Sequence, residues 1–510
     1  MFLDRGSSDP NRQLLDAVAL CGHLIAANSV AGFLASHRRE LFPDELFADL
    51  FPSGTGRPSV PADVVATVMV LQALEGLTDR DAIQQLRTNI AWKVATGLAL
   101  DDPGFHPTVL TLWRNRLRAS DRPQRIFEAV REVVRVTGVL ATRQRRALDS
   151  TVLDDAVTRQ DTITQVVAQI RVVRRLVSQA RALELTGHDY ESAVRKPVCA
   201  WNDAADVERV VTAVVRDAHA VLDALAGQDL HPEQADAVGL LALVADQDVE
   251  PGDGEGTWRI ARRTAPDRIV SVHDPESRHV HKTVHAYRDG FKGHIAVEPE
   301  TGLVTACELT AGDVGDAQAA PGLLRAEPDD IEVLGDSGYS AGAFRAVLVA
   351  RGSRAIIKPP PLPSAVPGGF TVDDFAIHLG AGTVTCPGSH TVAITRARKA
   401  VFGALCRACP LREHCTTRLK GRTLNVHPHH ALLTAARRQA ETPKFQAVYR
   451  HERPMVERTL SWLVRRGHRR VAYRGVTRNR IWWSHRAAAV NLRRLLNLGL
   501  YRTDTGWAVA

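Results

Sequence analysis

The sequence predicts an α/β protein: a mixed sheet flanked by helices, with an all-helical stretch before it and two insertions within it. Three observations lead there. Short apolar runs ending in aspartate sit among helical patterns in the middle of the chain. Residues 155–250 turn wholly to helical period. Four cysteines gather in an irregular segment, opened by a proline-rich run, before a last helical stretch. A chain of 510 residues, 45% of them apolar, exceeds one compact domain and suggests two or three.

Residues 1–120 read as helices. Pro61 suits the first turn of a helix, and Val64, Val65, Val68, Leu71 and Leu74 follow at helical spacing. Thr78-Asp79-Arg80-Asp81 resembles a helix cap, ahead of Ile83, Leu86 and Ile90 on one face. After Pro107-Thr108, the pattern sends Val109, Leu112, Trp113 and Leu117 inward and Arg114, Arg116 and Arg118 outward. Short helices with a basic last one suit a DNA-binding head and an ordinary helical bundle alike. Arg146 to Leu153 then reads as a strand. Two apolar stripes, Val166-Ile170-Val173-Val177 and Val210-Val214-Ala218-Leu222, make residues 155–250 a helical hairpin or small bundle that uses them for packing. Pro251 to Thr257 is a loop. Lys292–Glu298 and Leu303–Leu309 flank Pro299-Glu300-Thr301-Gly302 as a hairpin. A helix Ala317–Leu324, a buried strand Ile331–Asp336, a helix Ala341–Ala350 and a strand Ala355–Ile357 follow, and from Phe445 the chain is helical again.

Charge is unevenly spread. Between Phe445 and Arg502 stand 14 Arg and no Lys against two Glu and no Asp, so this segment holds more than the whole net charge of +8. Such an arginine field suits a nucleic-acid backbone; the alternative is a solvated basic surface. No run of 18 apolar residues occurs, so no membrane span is expected, and the first residues lack the form of a secretion signal. The expected compartment is the cytoplasm, in association with the nucleoid.

Two strands end in aspartate followed by small residues: Asp149-Ser150-Thr151 and Asp336-Ser337-Gly338-Tyr339. A carboxylate at a strand end is held rigidly at the rim of a sheet, where α/β folds gather ligands. Carboxylates so placed can hold a pair of hard divalent cations, Mg²⁺ or Mn²⁺, for phosphoryl chemistry, although aspartates also commonly cap turns. A third acid is expected from the C-terminal helix, among Glu441, Glu452 and Glu457. Glu452 lies in line with Val456, Leu460 and Leu463 on the apolar stripe. Glu457 lies with Arg450 and Arg453 on a more polar face, where its alternative is a plain ion pair with Arg453.

Taken together these pieces resemble the insertion-sequence DDE transposases of bacteria, in the branch with a helical N-terminal head, a long helical insertion and a late cysteine-rich insertion. Tyr449-x3-Arg453-x3-Glu457, with Arg465 and Arg466 beyond, looks like that family's signature around its third acid, with a tyrosine-to-arginine gap one residue longer than usual. Leu148-Asp149-Ser150-Thr151 looks like its first-acid strand and Gly335-Asp336-Ser337-Gly338-Tyr339 like its second. Ser271–Glu276, Phe291-Lys292-Gly293-His294, Arg469–Gly475, Ala489–Leu492 and the head from Leu41 to Leu117 fit further blocks. The resemblance implies an RNase-H-like fold. It implies Asp149, Asp336 and Glu457 as catalytic ligands of Mg²⁺ (or Mn²⁺), which cut transposon ends and join the freed 3′ ends to target DNA. Arg450, Arg453, Arg465, Arg466, Arg470 and Arg474 are expected to bind DNA, with Lys292; His294 is read as a sheet residue. The expected partner is double-stranded DNA, with a homodimer in the working complex. The alternatives are a non-catalytic DNA-binding relative and a nuclease without strand transfer.

Cys386-x19-Cys406-x2-Cys409-x5-Cys415 suits a closed, structural Zn²⁺ site, with His390, His414, His427, His429 or His430 able to replace one thiol; a metal-free remnant or an iron–sulfur cluster are the alternatives. The expected organisation is a helical DNA-binding head (1–140), an RNase-H-like core (141–154 and 251–358), a helical insertion (155–250), a cysteine-rich insertion (359–444) and a catalytic helix with a basic tail (445–510).

Overall fold

Among the described residues, seven helices lead into the sheet: α1 (Ala17–Cys21), α2 (Val30–Leu41), α3 (Ala62–Glu75), α4 (Asp79–Thr88), α5 (Ile90–Thr96), α6 (Thr108–Ala119) and α7 (Arg125–Val136). The computed structural model describes residues 15–51, 58–194, 196–263, 265, 267–281, 287–504 and 506–510. Pro61 immediately precedes α3, whose residues from Ala62 to Ala73 are all buried; a helix apolar around its whole circumference belongs in the middle of a core. Thr78 caps α4 by accepting from the Asp81 amide at 3.2 Å. In α6 the buried face is Leu110, Trp113 and Leu117, while Leu112 is exposed, one position away from the expected stripe. Arg114 also turns inward, because Asp79 pairs with it at 2.6 Å and Tyr473 lies beneath its guanidinium.

Strand β1 (Arg145–Asp154) is central to the sheet. The insertion after it holds α8 (Thr162–Leu176), α9 (Ser178–Arg181), α10 (Ala204–Leu225), α11 (Pro232–Asp246) and a small hairpin, β2 (Val249–Pro251) and β3 (Trp258–Ile260). It has its own apolar core, built on Val166, Ile170, Val173, Val177, Val210, Val214 and Ala218 and reaching on to Ile269 and Val272. The chain then returns through β4 (Arg278–His281), β5 (Tyr287–Val297), β6 (Val304–Ala311), α12 (Asp316–Leu323), β7 (Glu332–Gly335), α13 (Gly342–Ala350) and β8 (Arg354–Ile357). The order across the sheet is β6-β5-β1-β7-β8, with β4 also on β5. β5 runs antiparallel to β1, β4 and β6, whereas β1, β7 and β8 are mutually parallel.

The cysteine-rich segment forms a small domain-like unit of three-residue strands around Phe375, Val384, Ala400, Phe402, Leu424 and Val426. It carries α14 (Arg412–Cys415) and α15 (His430–Ala440), and two long helices close the fold, α16 (Pro443–Leu463) and α17 (Val476–Asn497). α17 packs against β6, α3 and α7, and one continuous apolar core joins the head, one face of the sheet, α16 and α17. Asn491 exchanges two hydrogen bonds of 2.7 Å with the Val304 backbone. Arg486, fully enclosed, donates to the carbonyls of Ala73, Trp462 and Leu463 at the ends of α3 and α16. Arg453, Arg486 and Arg494 are thus buried members of the arginine field; Arg450, Arg465, Arg466, Arg470 and Arg474 are exposed.

Candidate active site

The parallel register pairs Ala147 with Leu334, so the same offset sets Asp149, in the middle of β1, level with Asp336, the first residue past the end of β7. Asp149 is buried, and Asp336 caps the turn Ser337–Tyr339 by accepting from the Gly338 amide at 2.9 Å. α16 crosses β1 and brings Arg453 between them. Its Nη2 stands 2.9 Å from Asp149 Oδ1 and 3.7 Å from Asp336 Oδ2, its Nε stands 3.7 Å from Glu457 Oε1, and its Nη1 donates to the Leu148 carbonyl at 2.5 Å. Three acids from positions 149, 336 and 457 therefore meet on one guanidinium. The face is set by spacing: Tyr449, Arg453 and Glu457 recur every four residues along one side of the helix. Burial pushes the Asp149 carboxyl up to about 6, against the pull of Arg453. Burial also opposes the Arg453 charge, but Asp149 outweighs it and the guanidinium is held above its ordinary value. Glu457, 63% exposed, forms the open side of the cluster.

Of the other acids proposed for the C-terminal helix, Glu452 is buried and pairs with Arg145 at 3.0 Å on β1, away from the cluster; Glu441 is exposed in the turn before α16. Arg453 does not lie on a polar face as expected: its side chain is 7% exposed, because three carboxylates and a strand carbonyl supply its partners inside the fold. Lys292 is held by the Val314 carbonyl at 3.0 Å and Asp316 at 3.5 Å. His294 is fully buried, lowered to about 4 by desolvation and hence neutral near pH 7. Arg466 donates to the Glu75 carbonyl at 3.2 Å and Arg470 to the Asp155 carbonyl at 2.8 Å. Sequence reasoning passed over Asp316, which receives the Ser150 hydroxyl at 2.9 Å beside Asp149. Its signal was the one used for the other aspartates, an acid just after a strand and at the start of a helix.

Residues 385–496 match the family described as a transposase DDE domain, and residues 29–116 match the transposase domain DUF772. The two matches support an insertion-sequence DDE transposase. No curated protein and no solved structure matches it. The longer match takes in the four clustered cysteines, Arg453 and Glu457, and the shorter takes in most of the head. Asp149 and Asp336 lie in the stretch between the two matches.

The four clustered cysteines line one small pocket, together with His390, Phe375 and Phe402. Cys386 and Cys409 both face Gly388, and burial together with Cys406, Cys386 and Cys409 pushes the Cys415 thiol up, with Arg422 opposing. His427 and His429 instead sit against Gly342. Among the described residues no three His, Cys, Asp or Glu side chains close on a common point at metal-ligand spacing. At the acidic cluster the middle is held by Arg453. The donor types fit nonetheless: carboxylate oxygens suit hard Mg²⁺ or Mn²⁺, and thiols suit Zn²⁺. No helix among the described residues is long and apolar enough to cross a membrane.

Proposed function

We propose that this transposase cuts phosphodiester bonds at transposon ends and joins the freed 3′ ends to target DNA, using Asp149, Asp336 and Glu457 as its catalytic carboxylates. The observation that carries this is the convergence of these three distant acids on Arg453. The sheet order, with three parallel strands beside two antiparallel ones, supports an RNase-H-like core. Asp149, Asp336 and Glu457 would hold the divalent ions. When bound, such ions activate the attacking oxygen and stabilise the leaving one. The chain's own groups do the positioning. β1, paired on both sides by β5 and β7, and the end of β7 set the two aspartates side by side, and Ser150 next to Asp149 donates to Asp316. Tyr449, stacked on Phe445 at 5.7 Å, flanks the cluster on the same helix face as Arg453 and Glu457. The exposed Arg450, Arg465, Arg466, Arg470 and Arg474 supply the phosphate contacts, while Lys292 and Arg453 serve the acids in the free protein. Bringing two transposon ends together calls for a homodimer on DNA.

The test is a duplex carrying the sequences that bracket the reading frame, incubated with the protein and Mg²⁺. Nicked and joined products are expected. Nicks without joining would make it a nuclease, and neither product would make it a non-catalytic DNA-binding relative.

We further propose that Cys386, Cys406, Cys409 and Cys415 bind one structural Zn²⁺. About one zinc per purified chain is expected by elemental analysis, and Cys406→Ser with Cys409→Ser should remove it and lower thermal stability. Zinc-free protein of unchanged stability would count against this site.

A further inference from the structure

We propose that Asp316 and Asp336 form a second cation position that is open in the DNA-free protein, whereas the position among Asp149, Asp336 and Glu457 is filled by Arg453. This rests on the transposase reading above and adds a carboxylate to it. The two oxygens of Asp336 face different ways. Oδ2 is turned to Arg453, and Oδ1 to the Gly338 amide. Asp316 is divided in the same manner. Its Oδ1 takes the Ser150 hydroxyl at 2.9 Å and the Lys292 ammonium at 3.5 Å, which fix the carboxylate in place. Its Oδ2 has no hydrogen-bond or ion-pair partner among the described residues and looks toward Gly338, where a methyl group would stand 2.6 Å from it and 3.0 Å from Asp336 Oδ1. Asp316 Oδ2 and Asp336 Oδ1, the latter also accepting from the Gly338 amide, thus border one small space that a side chain at position 338 would enter.

A buried polar atom points to an occupant. The Tyr339 hydroxyl is fully enclosed, has no hydrogen-bond partner among the described residues, and feels the charges of Asp316, Asp149 and Asp336. Unpaired buried polar groups are rare enough to require an explanation, and an ion arriving with its waters supplies a partner for the hydroxyl. One or two carboxylates plus water are the usual protein share of a Mg²⁺ or Mn²⁺ shell.

The experiment is a Mn²⁺ titration of the DNA-free full chain by electron paramagnetic resonance, with strand nicking measured on the same samples. Wild type should bind about one Mn²⁺, Asp316→Asn and Asp336→Asn should weaken binding roughly tenfold or more, and Asp149→Asn should retain it. Gly338→Ala keeps every acid and puts a methyl between the two carboxylates, so it should weaken binding as well; it decides the matter if Asp316→Asn misfolds. The proposal is overturned if wild type binds no Mn²⁺, if Asp316→Asn (or, where that misfolds, Gly338→Ala) titrates like wild type, or if Asp149→Asn abolishes binding. The two ideas separate cleanly. Loss of nicking in Asp149→Asn with normal Mn²⁺ binding in Asp316→Asn removes only this inference, whereas nicking that survives Asp149→Asn removes the transposase mechanism itself.

Discussion

Asp149→Asn and Asp336→Asn should each lower Mg²⁺-dependent strand cleavage by roughly 10³-fold or more, the scale of losing a preorganised charge partner of a transition state. Asparagine keeps the shape and removes the charge. Arg453 keeps other partners in either variant, because the Leu148 carbonyl, Glu457 and the remaining aspartate still face it. Thermal melting should therefore move little compared with activity, and a variant that melts like wild type yet still cleaves at wild-type rate would remove that aspartate from the mechanism. Glu452→Gln is the informative contrast: Glu452 pairs with Arg145 outside the cluster, so it should cost stability and spare the chemistry. The pH profile carries the same information. With the Asp149 carboxyl raised from 3.8 to about 6, its protonated form dominates below that value, so activity should climb as pH rises through about 6 and level off above it. For stability the sign is opposite. Between 3.8 and about 6 the folded chain keeps a proton that the unfolded chain has released, so this group subtracts stability as pH rises across that window. An acidic limb unchanged in Asp149→Asn protein with residual activity would assign the limb to another group.

The α/β class, the helical insertion, the strand carrying Asp149 and the strand end at Asp336 were legible because each rests on local pattern; a strand end at Asp149 was not found, since pairing with β5 carries β1 on to Asp154 and leaves Asp149 in mid-strand. Periodicity left Glu441, Glu452 and Glu457 open; Glu457 stood out only through the likeness of Tyr449-x3-Arg453-x3-Glu457 to a family signature, and its four-residue spacing puts it on the Arg453 face of α16. What local pattern could not carry was the environment of a side chain. Arg453 looked like a phosphate clamp on a polar face, but α16 lies across β1, so its guanidinium is buried in acids contributed by other elements. Arg114 turned inward for a similar reason, since Asp79 waits on α4. Leu112 and Leu110 differ by little in apolar character, and only the packing of Trp113 against Phe47 and Phe51 decides which of them is covered. Asp316 was missed because its meaning lies in Ser150, Lys292 and Gly338, which are remote in sequence and meet only once the sheet closes.

Trp483→Ala should destabilise the protein by about 3–5 kcal/mol, the cost of emptying a large core site. The indole is fully buried at the middle of α17 and donates to the His294 carbonyl at 3.2 Å. It lies flat enough against β5 that a methyl on Gly293 would come within 2.7 Å of its ring, so the strand can approach only because that residue has no side chain. Neighbours of Trp483 on α17 reach the other way, Arg486 to the end of α3 and Asn491 to the start of β6. The cavity therefore opens where the helices of the head, the sheet and the C-terminal helices share one core. The loss should appear in every probe of that core at once: signals from the head and from the sheet should shift together in chemical denaturation, while the helical insertion, with its own apolar core, melts as before. A head that unfolds separately from the sheet in Trp483→Ala, or a loss below about 1 kcal/mol, would show that α17 joins the two halves by contact without coupling their stability.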